Sequence, residues 1–300
     1  MQIGIDVGAT KIESVVLEDN GQESHRSRTH CPKDYTSIVR TIKDIHDKLQ
    51  KEFNRELPIG VCHPGVHSPQ TGLVKNAPNC YWLEKKPFQS DLRKSLSKEV
   101  FCENDANCFA LSEAIDGAGK HYKIVYGIIL GSGAGGGLVI DKKIVSGPNG
   151  LAGEWGHNQV PHLLSKKENL QATSIREAEI ESFISGLALE KRFNKHYKKN
   201  LKTNEIFQLN RKHDLDAERF IDEFKINLAM SLSTIINILD PDAFVFGGGV
   251  SNEIDFLSEI ETIIKKYVVG KEYEGVFLKP KYGDASGVRG AARLGRKVSY

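Results

Sequence analysis

The sequence predicts a duplicated α/β fold in which two domains flank a cleft. Three observations carry that reading. The chain opens as strand, glycine-containing loop, strand, turn, strand, and the same order returns from Ile124. Between these units the apolar period changes from continuous strand runs to the three- and four-residue steps of helices. The length, 300 residues, is comfortable for two compact domains.

In order, residues 2–7 form an apolar, β-branched strand and residues 12–18 a second. Asp19-Asn20-Gly21 turns the chain into a third at 22–28. Residues 35–53 read as a helix, because Ile38, Ile42, Ile45, Leu49 and Phe53 fall on one face. A strand at 58–62 ends at His63-Pro64-Gly65. Residues 91–98 read as helix, 100–102 as a short strand and 106–114 as helix. The second unit has strands at 124–130 and 137–140, a turn at Asp141-Lys142-Lys143, and Ile144-Val145 continuing. A long helix follows at 217–239, a strand at 243–246, a helix at 254–267 and a short one at 287–294. The polar, Lys/Glu-rich stretch 163–176 reads as a surface loop or insertion.

Composition excludes several classes. A net charge of +2 lacks the strong basic excess of a nucleic-acid protein. No window of 18 or more apolar residues predicts a membrane span, and Met1–Asp6 lacks a secretory pattern. Five scattered cysteines, Cys31, Cys62, Cys80, Cys102 and Cys108, without C-x-x-C, read as reduced thiols in a cytoplasm.

Five segments carry chemistry. Asp6-Val7-Gly8-Ala9-Thr10-Lys11 is either a plain hairpin turn or a phosphate loop. In the second case Gly8 brings the backbone close, Thr10 and Lys11 donate, and Asp6 holds a water on Mg²⁺. Gly131-Ser132-Gly133-Ala134-Gly135-Gly136-Gly137 contains a formal G-x-G-x-x-G. It runs into a strand instead of opening a helix, so it fits a hairpin-type phosphate cradle and not a dinucleotide loop. Gly247-Gly248-Gly249 follows a strand; tight strand–helix packing is the stronger reading, and a flat ring such as adenine against bare backbone the other. Asn104-Asp105 precedes a helix: Asp105 either caps it or accepts the proton of an attacking hydroxyl. Gly153-Glu154-Trp155-Gly156-His157 can point a carboxylate and an imidazole into one pocket, suited to adjacent sugar hydroxyls.

Together and in this order, these segments resemble the ROK family of bacterial sugar kinases and sugar-responsive repressors, over nearly the whole chain. The resemblance implies an actin-like ATPase (ribonuclease H-like) fold. It divides the chain into domains at 1–117 and 118–287, with a C-terminal helix, 288–300, packing back on the first. It implies ATP and Mg²⁺ as cofactors and Asp105 as general base. Gly65, Asn76, Asn104, Asp105, Glu154, His157 and Glu181 are expected around the sugar. Gly4, Asp6, Gly8, Thr10, Lys11, Gly131, Ser132, Gly133, Gly135, Gly247, Gly248 and Gly249 are expected around the nucleotide. Ala9 stands where the family has a second glycine. A cytoplasmic homodimer is also implied, with no nucleic-acid or membrane partner.

Gly72-Leu73-Val74-Lys75-Asn76-Ala77 and Gly156-His157-Asn158 resemble the fructokinase or mannokinase branch. They imply fructose, or mannose or glucose, as the sugar made into its 6-phosphate. N-acetylglucosamine kinases share residues 104–114 and are the alternative. A repressor is disfavoured, since a first strand at Gln2 leaves no room for a helix-turn-helix. A non-catalytic sugar binder needs neither Asp105 nor Thr10 and Lys11. The family's Cys-x-Cys-Gly-x-x-Gly-Cys zinc segment has Ala172, Ser174 and Glu179 in place of its three thiolates. No structural zinc is therefore expected, and a site rebuilt from His157, His162 and Glu179 is the weaker alternative.

Overall fold

The computed structural model describes residues 1–160 and 175–295. Strands β1 (Gln2–Val7), β2 (Lys11–Leu17) and β3 (Glu23–His30) form an antiparallel meander. After helix α1 (Tyr35–Phe53) come β4 (Ile59–His63), a small hairpin of β5 (Val66–His67) and β6 (Val74–Lys75), helix α2 (Phe88–Leu96) and β7 (Val100–Asn104). β4 pairs in parallel with β1, and β7 with β4, giving the order β3-β2-β1-β4-β7.

Helix α3 (Asp105–Ile115) leads into the second unit, where β8 (Ile124–Leu130), β9 (Ala134–Ile140) and β10 (Lys143–Ile144) repeat the meander. Among the described residues four α-helices follow: α4 (Glu181–Ile184), α5 (Gly186–Tyr197), α6 (Thr203–Arg211) and the long α7 (Leu215–Leu239). Then come β11 (Ala243–Gly247), α8 (Gly249–Glu253), α9 (Leu257–Ile264), β12 (Val276–Leu278) and α10 (Ser286–Leu294). β11 is parallel to β8 and β12 to β11, giving the order β10-β9-β8-β11-β12. The second sheet thus repeats the first strand for strand, as an actin-like ATPase fold requires.

Local chemistry explains the elements. Asp34 caps α1 by accepting the Ser37 N–H at 2.8 Å, and Asn54 ends it in the left-handed conformation. Ile38, Ile42 and Leu49 of that helix are buried in the first sheet's core. The second core gathers Phe183, Phe193, Phe207, Phe224, Phe244 and Phe246 around the second sheet and its helices.

Helices α3 and α10 lie between the two sheets. A Cβ on Gly290 of α10 would stand 1.8 Å from the Cys108 carbonyl oxygen of α3, so the two helices meet backbone to backbone. On one side α10 rests on the first sheet, where a Cβ on Gly4 would meet the Val288 oxygen at 2.1 Å and one on Gly60 the Ala291 oxygen at 2.0 Å. On the other, α3 rests on the second sheet at Gly127, Gly137 and Gly247, where a Cβ would strike Ala110, Ala106 and Phe109.

Several expectations are corrected. Gly135, Gly136 and Gly137 belong to β9, paired with Ile129, Ile128 and Gly127, so the loop proper is only 131–133. The helix expected at 254–267 is shorter, α9 at Leu257–Ile264, and a separate short helix, α8, precedes it; α2 begins at Phe88. α5, α6 and β12 were not expected. Most of the surface stretch 163–176 lies outside the described residues; Ile175–Ala178 is a single 3₁₀ turn. Among the described residues no helix is long and apolar enough to cross a membrane.

Candidate active site

A cleft of about 1650 Å³ collects most of the expected sugar-side residues: Gly65, Asn76, Asp105, His157 and Glu181 line it together with Ser132 and Gly133. Two strand ends of the first sheet build one wall. β4 ends at His63, and the turn after it sets Gly65 at φ +81°, a backbone that glycine adopts freely. β7 ends at Asn104, whose amide does two jobs. Its oxygen caps α3 by accepting the N–H groups of Ala106 at 2.8 Å and Asn107 at 3.2 Å, while its Nδ2 donates to the Gly65 carbonyl at 3.0 Å. Asn104 is therefore the cap, and Asp105, the first residue of the helix, faces the cleft.

Asp105 is half-buried, and one oxygen accepts the Ala106 N–H at 2.9 Å. Burial pushes its carboxyl up to about 7, and the charges of Asp6 and Glu154 push the same way, against the Ala106 hydrogen bond. Asp6 lies next to the end of β1, and burial raises its pKa, with the Glu13 charge adding; the Cys62 hydrogen bond and Lys11 oppose this. Lys11 and Thr10 are exposed at the β1–β2 turn, which Gly8 closes by donating its N–H to the Lys11 carbonyl at 2.9 Å. Lys11 Nζ lies 3.4 Å from Glu13.

The second unit supplies the other wall. Gly131 N–H donates to the Gly133 carbonyl at 2.9 Å and shapes the loop. α4 and α5 hold it from behind. Glu181 Oε2 accepts the Ala134 N–H at 2.8 Å, and the Gly186 N–H donates to the Gly131 carbonyl at 2.8 Å. Glu181, expected beside the sugar, is thus also tied to the glycine loop. Trp155 is buried and donates its indole N–H to the Gly135 carbonyl at 2.9 Å, which seats the Glu154–His157 turn on β9. Burial raises the Glu154 pKa; the Glu181 charge adds to this, while His157 and Lys75 oppose it. His157 places Nε2 3.6 Å from Glu154 and Nδ1 3.0 Å from Glu179. Partial burial disfavours its cation, but the Glu179 hydrogen bond and the charges of Glu179, Glu154 and Glu181 outweigh that and raise its pKa.

Three glycines expected at the nucleotide are buried or packed instead. Gly4 is buried beneath α10, Gly247 is buried against the Phe109 ring, and Gly248 packs on the Leu130 backbone with φ +88°. Only Gly249 of the triplet is exposed to open space, so packing accounts for the first two. Of the alternative zinc site, His162 lies outside the described residues, as do Ala172 and Ser174 at the lost thiolate positions. Sequence reading missed Glu103, which accepts the Asn104 N–H at 2.8 Å, Asn107 Nδ2 at 3.1 Å and the Ser146 hydroxyl at 2.8 Å. Its position directly before Asn104-Asp105 was the available signal.

A family model, "ROK family", matches residues 2–298. The N-acetyl-D-glucosamine kinase of Photobacterium profundum is 36% identical over 303 residues, covering 99% of this chain and 100% of that protein. That of Histophilus somni is 35% identical over 302 residues, 98% of each. Among solved structures, a ROK hexokinase from Thermus thermophilus superimposes with a TM-score of 0.87 at 24% identity, over 98% of this chain and 97% of that one. A ROK family glucokinase from Streptomyces griseus, in complex with glucose and AMPPNP, does so with 0.76 at 26% identity, over 98% and 99%.

The fructokinase or mannokinase expectation is overturned by the end-to-end matches to N-acetyl-D-glucosamine kinases. The structure shows why the segment 72–77 misled. Only Asn76 of it lines the cleft, whereas Val74 is buried in the first core and Lys75 donates to the Asn149 carbonyl at 3.1 Å. Val74 is scaffold, and Lys75 meets the sugar-side Glu154 only through its charge.

Proposed function

This chain belongs to the ROK family as a sugar kinase, and from that premise we propose that it phosphorylates N-acetyl-D-glucosamine with ATP at the 6-hydroxyl. One observation carries the kinase chemistry: a cleft carboxylate, Asp105, with its pKa raised to about 7 by burial, at the mouth of a glycine loop. The sugar is argued from the full-length relatives.

In this reading Asp105 accepts the proton of the attacking hydroxyl, and a carboxyl poised near neutrality suits that task. Asn104 holds the Gly65 carbonyl and so fixes the sugar-side wall. Glu154 and His157 grip adjacent sugar hydroxyls. Ser132 and Gly133 present hydroxyl and backbone to phosphate, with Thr10 and Lys11 from the opposite turn. Asp6 fits Mg²⁺ held through water, since that ion keeps several waters beside one or two carboxylates; it would neutralise charge on the transferred phosphoryl group. A homodimer is kept as a proposal, to be checked by light scattering.

The test is a sugar panel with ATP and Mg²⁺, the product identified by NMR. N-acetyl-D-glucosamine should give the highest kcat/KM. A higher value for fructose, mannose or glucose refutes the substrate; no transfer to any sugar refutes the kinase.

A further inference from the structure

We propose that Glu179 is the positioning residue for His157: it fixes the proton on Nδ1 and turns Nε2 toward the sugar. This rests on the kinase reading and goes beyond it by assigning a residue that reaches the sugar only through another. His157 sits at the end of a short 3₁₀ turn, Trp155–His157, and is 43% exposed, so packing alone does not hold its ring. A histidine side chain on such a turn samples several rotamers unless a partner selects one.

The partner comes from a separate segment. The Val160 N–H donates to the Ala178 carbonyl at 2.8 Å and the Ile180 N–H to the Asn158 carbonyl at 2.8 Å, a two-rung antiparallel bridge centred on Gln159 and Glu179. The bridge holds the Glu179 backbone beside the turn. Its side chain is only 14% exposed, and it reaches Nδ1 at 3.0 Å. An ionised carboxylate only accepts, so a hydrogen bond there requires the proton on Nδ1. The opposite nitrogen, Nε2, stands 3.6 Å from Glu154 Oε2, beyond a direct hydrogen bond. That leaves Nε2 and Glu154 side by side, each able to meet a neighbouring sugar hydroxyl.

The zinc segment implied by the family resemblance does not fit here. Alanine at 172 carries no donor, and the third thiolate is replaced by Glu179, which bonds His157 directly. The carboxylate and the bridge do the orienting themselves.

The experiment uses the full chain. Imidazole ¹⁵N NMR of the free protein at alkaline pH, with His157→Gln to assign the signal, should show Nδ1 protonated. An Nε2–H tautomer overturns the proposal. In kinetics, Glu179→Ala should raise the sugar KM about tenfold, the scale of one lost hydrogen bond to a charged group, while the ATP KM stays within about twofold. Glu179→Gln, which keeps an acceptor, should fall between Glu179→Ala and the native enzyme. Unchanged sugar KM, or both KM values rising together with a lower Tm, would make Glu179 a structural staple only and overturn the assignment. If Glu179→Ala does not fold, the native tautomer and Glu179→Gln still decide. If the native protein phosphorylates no sugar, the kinase reading fails while the tautomer still answers the question about Glu179.

Discussion

Ser146 Oγ donates a 2.8 Å hydrogen bond to Glu103 Oε2, tying the loop that leads to Glu154 onto the strand that leads to Asn104. The two sugar-side walls are therefore joined by one carboxylate, whose other oxygen holds the Asn104 N–H at 2.8 Å. Nearby, Gln70 Nε2 reaches Asn149 Oδ1 at 3.0 Å, so the same loop also meets the β5–β6 hairpin.

Ser146→Ala removes that tie and strands one carboxylate oxygen. The sugar KM should rise several-fold with kcat little changed, and stability should fall by about 1 kcal/mol. Steady-state kinetics at saturating ATP and a denaturant melt check both. An unaltered sugar KM would show that the Asn149 contacts suffice.

Asp105→Asn should lower kcat by about 10²–10⁴-fold, the range of a lost general base, while sugar binding by calorimetry persists. Near-native turnover removes Asp105 from the chemistry.

The pH profile follows from the same group. The working form is the carboxylate, and burial raises its pKa to about 7. kcat/KM should therefore fall as pH drops through about 7 and level off above it. For stability the sign is opposite. A carboxyl raised in the folded state favours folding in acid, below the ordinary carboxylate range, and that contribution is lost as pH rises through about 7. Asp105→Asn should thus gain on the native protein above neutrality, and melts across pH would reveal the crossover. A flat profile would mean that another group limits the rate.

Gly290→Ala places a methyl where the Cys108 carbonyl already stands, only 1.8 Å from its oxygen. Destabilisation of roughly 1–3 kcal/mol or more is expected from overpacking a backbone contact. Gly249→Ala, with nothing within 4 Å, should leave the Tm within about a degree. Equal melts for the two variants would contradict the packed α3–α10 layer.

Activity should be lost on chelation and restored by Mg²⁺ alone, because Ala172 and Ser174 replace two thiolates. Metal analysis of untagged protein is the check. One zinc per chain, needed for recovery, would refute it.

Much of the fold was legible because its signals are local. The face of α1 set by Ile38, Ile42 and Leu49 is visible as period, and the strand–loop–strand unit as repetition. What stayed hidden depends on contacts between distant segments. The glycines at 135–137 look like loop in sequence, yet they are strand residues: Gly137 lets α3 lie on β9, and Gly136 lets Trp155 and Gly153 pack on the other face. α5 and α6 are short and mix apolar with charged residues, and only the second core shows that Leu189, Phe193, Ile206 and Phe207 form the buried face. At the site, Asp105, Glu154 and His157 were read from adjacent motif residues. Glu103 and Glu179 act through partners 43 and 22 positions away; the one was signalled only by standing before Asn104-Asp105, the other only by standing where the family has a thiolate, and neither signal names its partner.

The seating of α3 also has a mechanical meaning. β7 of the first sheet delivers the chain to Asn104, but α3 rests on β8, β9 and β11 of the second. The junction between Asn104 and Asp105 is thus where the chain passes from the first sheet to the second. If the halves swing when sugar enters, Gly65 and Asn76 travel on the long arm, while Asp105 keeps its distance to Ser132 and Gly133. Spin labels on α1 and α7 should report that swing, and labels on α3 and β10 should not. In such a swing Asp105, the proposed base, would stand where the lever moves least.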